Sequence, residues 1–314
     1  MSEKYPFDVA VIGGGPAGLS AAVTLGRSLR SVVVIDAGQP RNAPAAGAHN
    51  LLGHEGRPPR EILADGRAEA ESYGVRLVDG AVTSARRVGH EFEVDVDGGE
   101  TVRARRILLA TGLVDELPDV PGLAEHWGTT VLHCPFCHGY EIRDQHVGIL
   151  ATNENVAHQA LLFRELTRRV TVFLHTAPEP DDDTWDQWAA LGIEVVDGRV
   201  HDVAGQDGGL SLGLDGFRRH VDALVVAPRF VARPELYTAL GGTMREEPFG
   251  TTIPTLPGGQ TEVDGVWAAG NSGNAMAMVS AASAEGVLAG VRLHADLMLE
   301  DARRAVLARR LPVR

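Results

Sequence analysis

Cys134 and Cys137 lie in the stretch His133-Cys134-Pro135-Phe136-Cys137-His138-Gly139-Tyr140-Glu141, with a histidine directly outside each, and they are the only cysteines of the chain. A Cys-x-x-Cys pair can close a small disulfide ring whose thiolates are tunable, so it suits electron exchange. The same spacing is half of a zinc site, but zinc usually takes four ligands and there is no second Cys-x-x-Cys. His133 and His138, directly adjacent to the cysteines, lack the usual ligand spacing. We therefore expect redox chemistry and no metal. His138 is the first choice for a base that removes thiol protons and His133 the second. An imidazole titrating near ~6.5 can take the proton of a thiol titrating near ~8.5 around neutral pH. The alternative for either histidine is a ring hydrogen-bonded to hold structure.

Such a pair needs a scaffold and an electron acceptor, and the N-terminal stretch supplies both. Phe7 to Ile12 is a short apolar run, followed at once by Gly13-Gly14-Gly15-Pro16-Ala17-Gly18, a helical stretch from Leu19 to Leu25 and a second apolar run from Ser31 to Ile35 ending at Asp36. In this strand–turn–helix–strand setting Gly13 permits the tight turn, Gly15 lets a pyrophosphate approach and Gly18 packs helix on sheet. The helix N-terminus faces the phosphates, and Asp36 can bond ribose hydroxyls. A glycine-rich structural turn is the alternative. Residues 38–60 read as loop, with Arg41, Asn42 and Asn50 as polar candidates for the cofactor or as solvated turn residues. Arg60 to Tyr73 reads as helix and Val75 to Val102 as short strands. Ala110-Thr111-Gly112 ends a buried strand in small residues that let backbone approach a nucleotide.

Beyond the cysteines, Val147 to Ala151, the turn Thr152-Asn153-Glu154-Asn155, a helix to about Arg168 and a strand Val170 to Leu174 outline a second unit of the same kind. Its turn has no glycine, Glu154 puts negative charge where a pyrophosphate would bind, and Glu179, Asp181, Asp182 and Asp183 stand where a 2′-phosphate would want arginines. The expectation is a nucleotide-binding shape that has lost its nucleotide; the alternative is a divergent turn that still binds the cofactor by other contacts. Further strands are expected at Glu194–Val196 and at 223–227. Asp264 to Asn271 forms another strand and small-residue turn before a helix from about Ala275 to Ala295. Met276 and Met278 read as packing residues, and the arginine-rich tail from Glu300 to Arg314 reads as a solvated helix end.

A net charge of −13 argues against nucleic acid or an anionic membrane as partner. The start, from Met1 to Pro6, lacks the pattern of a signal peptide, and no apolar run reaches the length of a membrane span. A cytoplasmic protein is expected.

Gly13-x-Gly15-x-x-Gly18, Ala110-Thr111-Gly112, Cys134-x-x-Cys137 and Gly265-Val266-Trp267-Ala268-Ala269-Gly270-Asn271 together resemble the low-molecular-weight thioredoxin reductase family of flavoproteins over nearly the whole chain. The resemblance implies an α/β fold of two Rossmann-like, three-layer domains. An FAD domain built from 1–117 and 246–314 would receive the cysteine domain, 118–245, as an insertion. It also implies FAD, a homodimer, and cofactor contacts extending to Pro16, Ala17, Ala37, Gly38, Val82, Gly270, Asn271 and Val279. Three departures matter. His138 stands where the family has an aspartate, the second glycine fingerprint and its arginines are absent, and Asn271 replaces an acid, with Met278-Val279-Ser280 for Arg-Gln-Ala. The Cys-Pro-Phe-Cys-His-Gly-Tyr-Glu wording, with Arg41-Asn42 and His49-Asn50, is similar to the dithiol oxidase branch of gliotoxin and holomycin oxidases. That branch closes a disulfide inside a small natural product and passes electrons to oxygen. It implies substrate exchange at Cys134 and a flavin-facing Cys137. The readings left open are a thioredoxin-type reductase and a non-catalytic flavoprotein or redox sensor.

Overall fold

The computed structural model describes residues 6–310; Met1 to Tyr5 at the start and Arg314 in the tail lie outside them. The chain divides into two compact units, residues 1–43, 58–114 and 230–314 in one and 44–57 with 115–229 in the other.

The first unit is built on a sheet whose strands run in the order Arg76–Asp79, Val32–Asp36, Phe7–Ile12, Thr101–Leu109, Glu91–Val96, Val82–Val88. Phe7–Ile12 lies between two parallel neighbours, with Val9 opposite Val32 and Ile12 opposite Leu109, and so reads as an unbroken apolar run rather than an alternating one. Thr101–Leu109 does double duty: its first half pairs antiparallel with Glu91–Val96 and its last three residues pair parallel with Val266–Ala268. The helix Pro16–Arg27 packs on the long helix Val279–Arg310 through glycine. A Cβ at Gly286 would collide with the Ala17 carbonyl, and one at Gly290 would come within 3.1 Å of the Ala21 carbonyl.

That long helix starts and ends later than its composition suggests. Asn271 draws the carbonyls of Asn274, Ala275 and Ala277 to its amide, which keeps them out of the helix. At the far end Arg105 and Arg106, on the sheet, hold Asp296, Glu300 and Asp301, extending the helix well past Ala295.

In the second unit five parallel strands run Glu194–Val196, Arg169–Phe173, His146–Leu150, Ala223–Val225, Val131–Leu132. Helix Val156–Arg164 follows His146–Leu150, so the second strand–helix–strand unit exists as a shape. An antiparallel three-stranded sheet, Asp202–Gln206, Gly209–Leu214 and Phe217–Val221, was not foreseen from the sequence. Ile149, Phe163, Trp188 and Val172 fill one core of the unit.

The units differ from the boundaries expected, 117/118 and 245/246. The inserted unit ends at Arg229, because Leu236, Tyr237, Leu240 and Met244 pack into the core of the first unit. Residues 44–57, early in the chain, go with the cysteine unit, to which the Asn50 side chain is hydrogen-bonded. Among the described residues no helix is long and apolar enough to cross a membrane.

Candidate active site

Cys134 is the N-cap of a four-residue helix, Pro135–His138, so its backbone is extended while Cys137 sits in the helical turn. The Cys134 carbonyl accepts from the Cys137 and His138 N–H groups, and Pro135 presets the first helical position. This brings the two Cα atoms to 5.2 Å, and the cysteines are bonded to each other as a disulfide. Phe136, between the two cysteines, and Tyr140, three residues past the second, are exposed aromatic rings.

The two histidines differ. His133 Nδ1–H donates to the Val226 carbonyl at 3.0 Å, which ties its ring to the residue just past the strand Ala223–Val225. His138 is half-buried, and burial pushes its imidazole below the ordinary value, with Glu141 raising it and His49 lowering it. Its neutral, proton-accepting form is favoured by that shift. Asn50 does not stand in the first unit with Arg41 and Asn42. Its backbone lies in the left-handed region (φ 58°), and its Nδ2 donates to the Phe136 carbonyl at 2.6 Å.

In the first unit the glycine turn is tightly closed on its own backbone. Gly13 has φ +106°, and a Cβ there would strike the Ala110 carbonyl; a Cβ at Gly18 would strike the carbonyl of Gly13. Nothing lies within 4 Å of where a Gly15 Cβ would be, and the helix Pro16–Arg27 starts with no side chain capping it. Open space beside uncapped N–H groups suits a pyrophosphate. Gly14 N–H donates to Asp36 Oδ1 at 3.0 Å, aiming that carboxylate, and Ala37-Gly38 follow it. Gly80 N–H donates to the Asp36 carbonyl, so the chain enters the strand beginning at Val82 from that same sheet end.

At the other side of the sheet, Ser272 is fully buried; its Oγ accepts from Gly112 N–H at 3.0 Å and lies 3.2 Å from Thr111 Oγ1. Gly270 N–H donates to Glu285 Oε2 at 3.0 Å, and the same carboxylate accepts from Asn274 Nδ2 at 2.7 Å. Asn271 Nδ2 approaches three carbonyls at 2.9–3.2 Å, while its Oδ1 accepts from Arg41 at 3.3 Å. Arg41 also stacks on the Phe230 ring. Three convergent carbonyls demand a donor, which accounts for an amide where the family has an acid. Val279 is the first residue of the long helix. Ser272 and Glu285 carry no sequence signal of their own, since Glu285 reaches Gly270 from fifteen positions on.

In the second unit the turn from Thr152 to Asn155 is closed by its own side chain, Asn153 Oδ1 accepting from Asn155 N–H at 3.0 Å, and Glu154 is exposed at the helix start. Asp181 has a structural partner. It caps the helix Asp182–Leu191, accepting from Thr184 N–H at 2.9 Å, which also holds its carboxyl below the usual range.

An FAD-type glycine turn, an opposed small-residue turn and a Cys-x-x-Cys disulfide on a second Rossmann-like unit define a flavoprotein disulfide oxidoreductase of thioredoxin reductase type. The chain belongs to the pyridine nucleotide-disulphide oxidoreductase family, whose model matches residues 7–286, and it is an FAD-binding oxidoreductase. It is similar to thioredoxin reductase tcpT of Claviceps purpurea, at 33% identity over 96% of this chain and 97% of that one. Among solved structures it is similar to HlmI, with a TM-score of 0.91 and 38% identity covering 98% of each chain. It is also similar to an oxidoreductase from Agrobacterium tumefaciens, with a TM-score of 0.89 and 37% identity over 94% of this chain and 99% of that one.

Proposed function

We propose that this protein is an FAD-dependent dithiol oxidase that closes a disulfide within a small natural product of dithiolopyrrolone or epidithiodiketopiperazine type, with oxygen reduced to hydrogen peroxide. The observation that carries the reading is a Cys-x-x-Cys disulfide on a unit that keeps the Rossmann shape while its nucleotide turn is glycine-free and closed on itself. Without a nicotinamide site the chain would take its electrons from the thiols it meets.

One substrate thiolate attacks Cys134 Sγ, breaking the Cys134–Cys137 bond and releasing Cys137 as thiolate. The second substrate thiolate then attacks the substrate sulfur of the mixed disulfide and releases Cys134. The substrate loses two electrons and two protons, and the enzyme disulfide becomes a dithiol. His138 takes the thiol proton, its half-buried ring being neutral around pH 7. His133, tied to Val226, holds the turn. Bound FAD supplies the two-electron chemistry that restores the disulfide, with oxygen as terminal acceptor. Gly13, Gly15, Pro16, Ala17 and Gly18 would hold its pyrophosphate, Asp36, Ala37, Gly38 and Val82 its adenosine end, and Ala110, Thr111, Gly112, Gly270, Asn271 and Val279 the flavin end, with Arg41 and Asn42 alongside. In this reading the protein is a cytoplasmic homodimer.

The second reading, a disulfide reductase fed by NADPH, draws on the name thioredoxin reductase carried by the Claviceps relative. Anaerobic mixing of the yellow protein with NADPH, then with a reduced dithiolopyrrolone, separates the two. Bleaching of the flavin by the dithiol alone is the expected result. Bleaching by micromolar NADPH at a turnover-competent rate would overturn the oxidase.

A further inference from the structure

Residues 48–57 form a closed loop on the cysteine unit. Ala48 N–H donates to the Arg57 carbonyl at 2.8 Å and Gly56 N–H to the Ala48 carbonyl at 2.9 Å. Gly47 lets the two ends approach, since a Cβ there would lie 2.7 Å from the Gly56 carbonyl. Within the loop Glu55 serves two partners: Oε2 accepts from Asn50 N–H at 3.0 Å, and Oε1 lies 2.6 Å from His49 Nδ1. The other nitrogen of His49, Nε2, lies 3.5 Å from Glu141 Oε1. His49 thus has a carboxylate oxygen opposite each of its two ring nitrogens.

We propose that His49 is a positioning residue for the reaction at the Cys134–Cys137 turn: its ring bridges Glu55 and Glu141 and fixes the Glu141 carboxylate three residues past His138, while Asn50, anchored by the same Glu55, fixes the Phe136 carbonyl. The proposal rests on the reading of His138 as the base. The charged groups facing His138 are Glu141 from its own turn and His49 from the loop. Once His138 has taken a thiol proton in its half-buried place, a carboxylate held nearby stabilises the imidazolium, and one free to swing into water does so less. The loop therefore controls both the charge the base meets and the backbone that carries the sulfurs.

A mutant cycle on the oxidised holoenzyme tests this. The titration of His138 is followed by NMR of 13C-histidine-labelled protein and assigned by the signal lost in His138→Gln. In otherwise native protein Glu141→Gln lowers the His138 midpoint, by about half a unit or more. In a His49→Gln background that shift shrinks by half or more, because an unbridged Glu141 no longer stays beside the base. If the shift is equal or larger there, His49 merely neutralises Glu141 and the proposal is overturned. Glu55→Gln, a milder change on the exposed side of the loop, is expected to shrink the shift in the same direction, and no change would count against the proposal. None of these titrations needs turnover. A shrunken shift in a protein that oxidises no dithiol would sink the oxidase and leave the positioning role standing. With turnover present, the acid limb of kcat/KM should follow the NMR midpoints.

Discussion

At Gly13–Gly18 the chain passes from a parallel strand into a helix with four glycines; at Thr152–Asn155 it makes the same passage with none. The first turn leaves open space at Gly15 and uncapped N–H groups, and the acid at its far strand end is aimed by Gly14. The second closes on Asn153, shows Glu154 at the helix start, and spends the acid after its second strand on capping a helix. Both units keep the fold, because strands and helices are held by apolar cores of comparable completeness. Nucleotide binding depends instead on a few backbone atoms at one turn, and these can be lost without disturbing the core. The second unit carries the disulfide on the same kind of core.

The comparison breaks most visibly at Gly18. Gly18→Val drives a side chain into the Gly13 backbone carbonyl, which cannot swing away as a side chain could, and is expected to yield protein without flavin. The ratio of flavin to protein absorbance checks this, with far-UV circular dichroism to follow the fold; full flavin content would show that the glycine turn is not the binding element.

The next effect belongs to the second unit's chemistry. His138→Ala should slow dithiol oxidation by roughly 10²–10⁴-fold near neutral pH, with part of the loss returning at alkaline pH as substrate thiols ionise unaided. Since burial lowers the pKa of His138, its neutral form persists to more acid pH than that of an ordinary imidazole. Activity is thus lost as pH falls through a midpoint below ~6.5. A pH-independent defect would make His138 a structural residue of the turn.

A smaller loss is expected at Asn271. In Asn271→Asp three carbonyls that meet a donor would meet a carboxylate, at a cost of about 1–3 kcal/mol. Weaker flavin retention and a lower melting temperature measure it; an unchanged protein would mean that the amide is not what holds the loop.

The control comes last. Glu154→Gly should leave flavin content and dithiol turnover within about twofold, as expected of an exposed substitution. It should gain little NADPH reactivity, since Asn153 still closes the turn. Strong NADPH reduction from this single change would show the second site to be nearly intact.

Legibility followed locality. The glycine turn, Asp36 and the cysteine turn were readable because strand, turn and helix are neighbours in sequence, and each glycine answers to a nearby backbone atom. The antiparallel sheet from Asp202 to Val221 was missed, since its strands are short and glycine-interrupted. The helix beginning at Val279 was placed too early because its start is delayed by the Asn271 side chain, which composition does not reveal.

By itself the sequence determined the chemistry available: a cysteine pair that can form a disulfide, histidines beside it, and two strand–turn–helix passages, one rich in glycine and one without any. Tertiary structure decided which groups serve that chemistry. It bound His133 to Val226, brought Glu285 to Gly270 and Ser272 to Gly112, and carried His49, Asn50 and Glu55 to the cysteine turn more than eighty positions away. The physical reason is that hydrogen bonds and charges act over a few ångströms of space, whatever the length of chain between them, and only the packed core sets those distances.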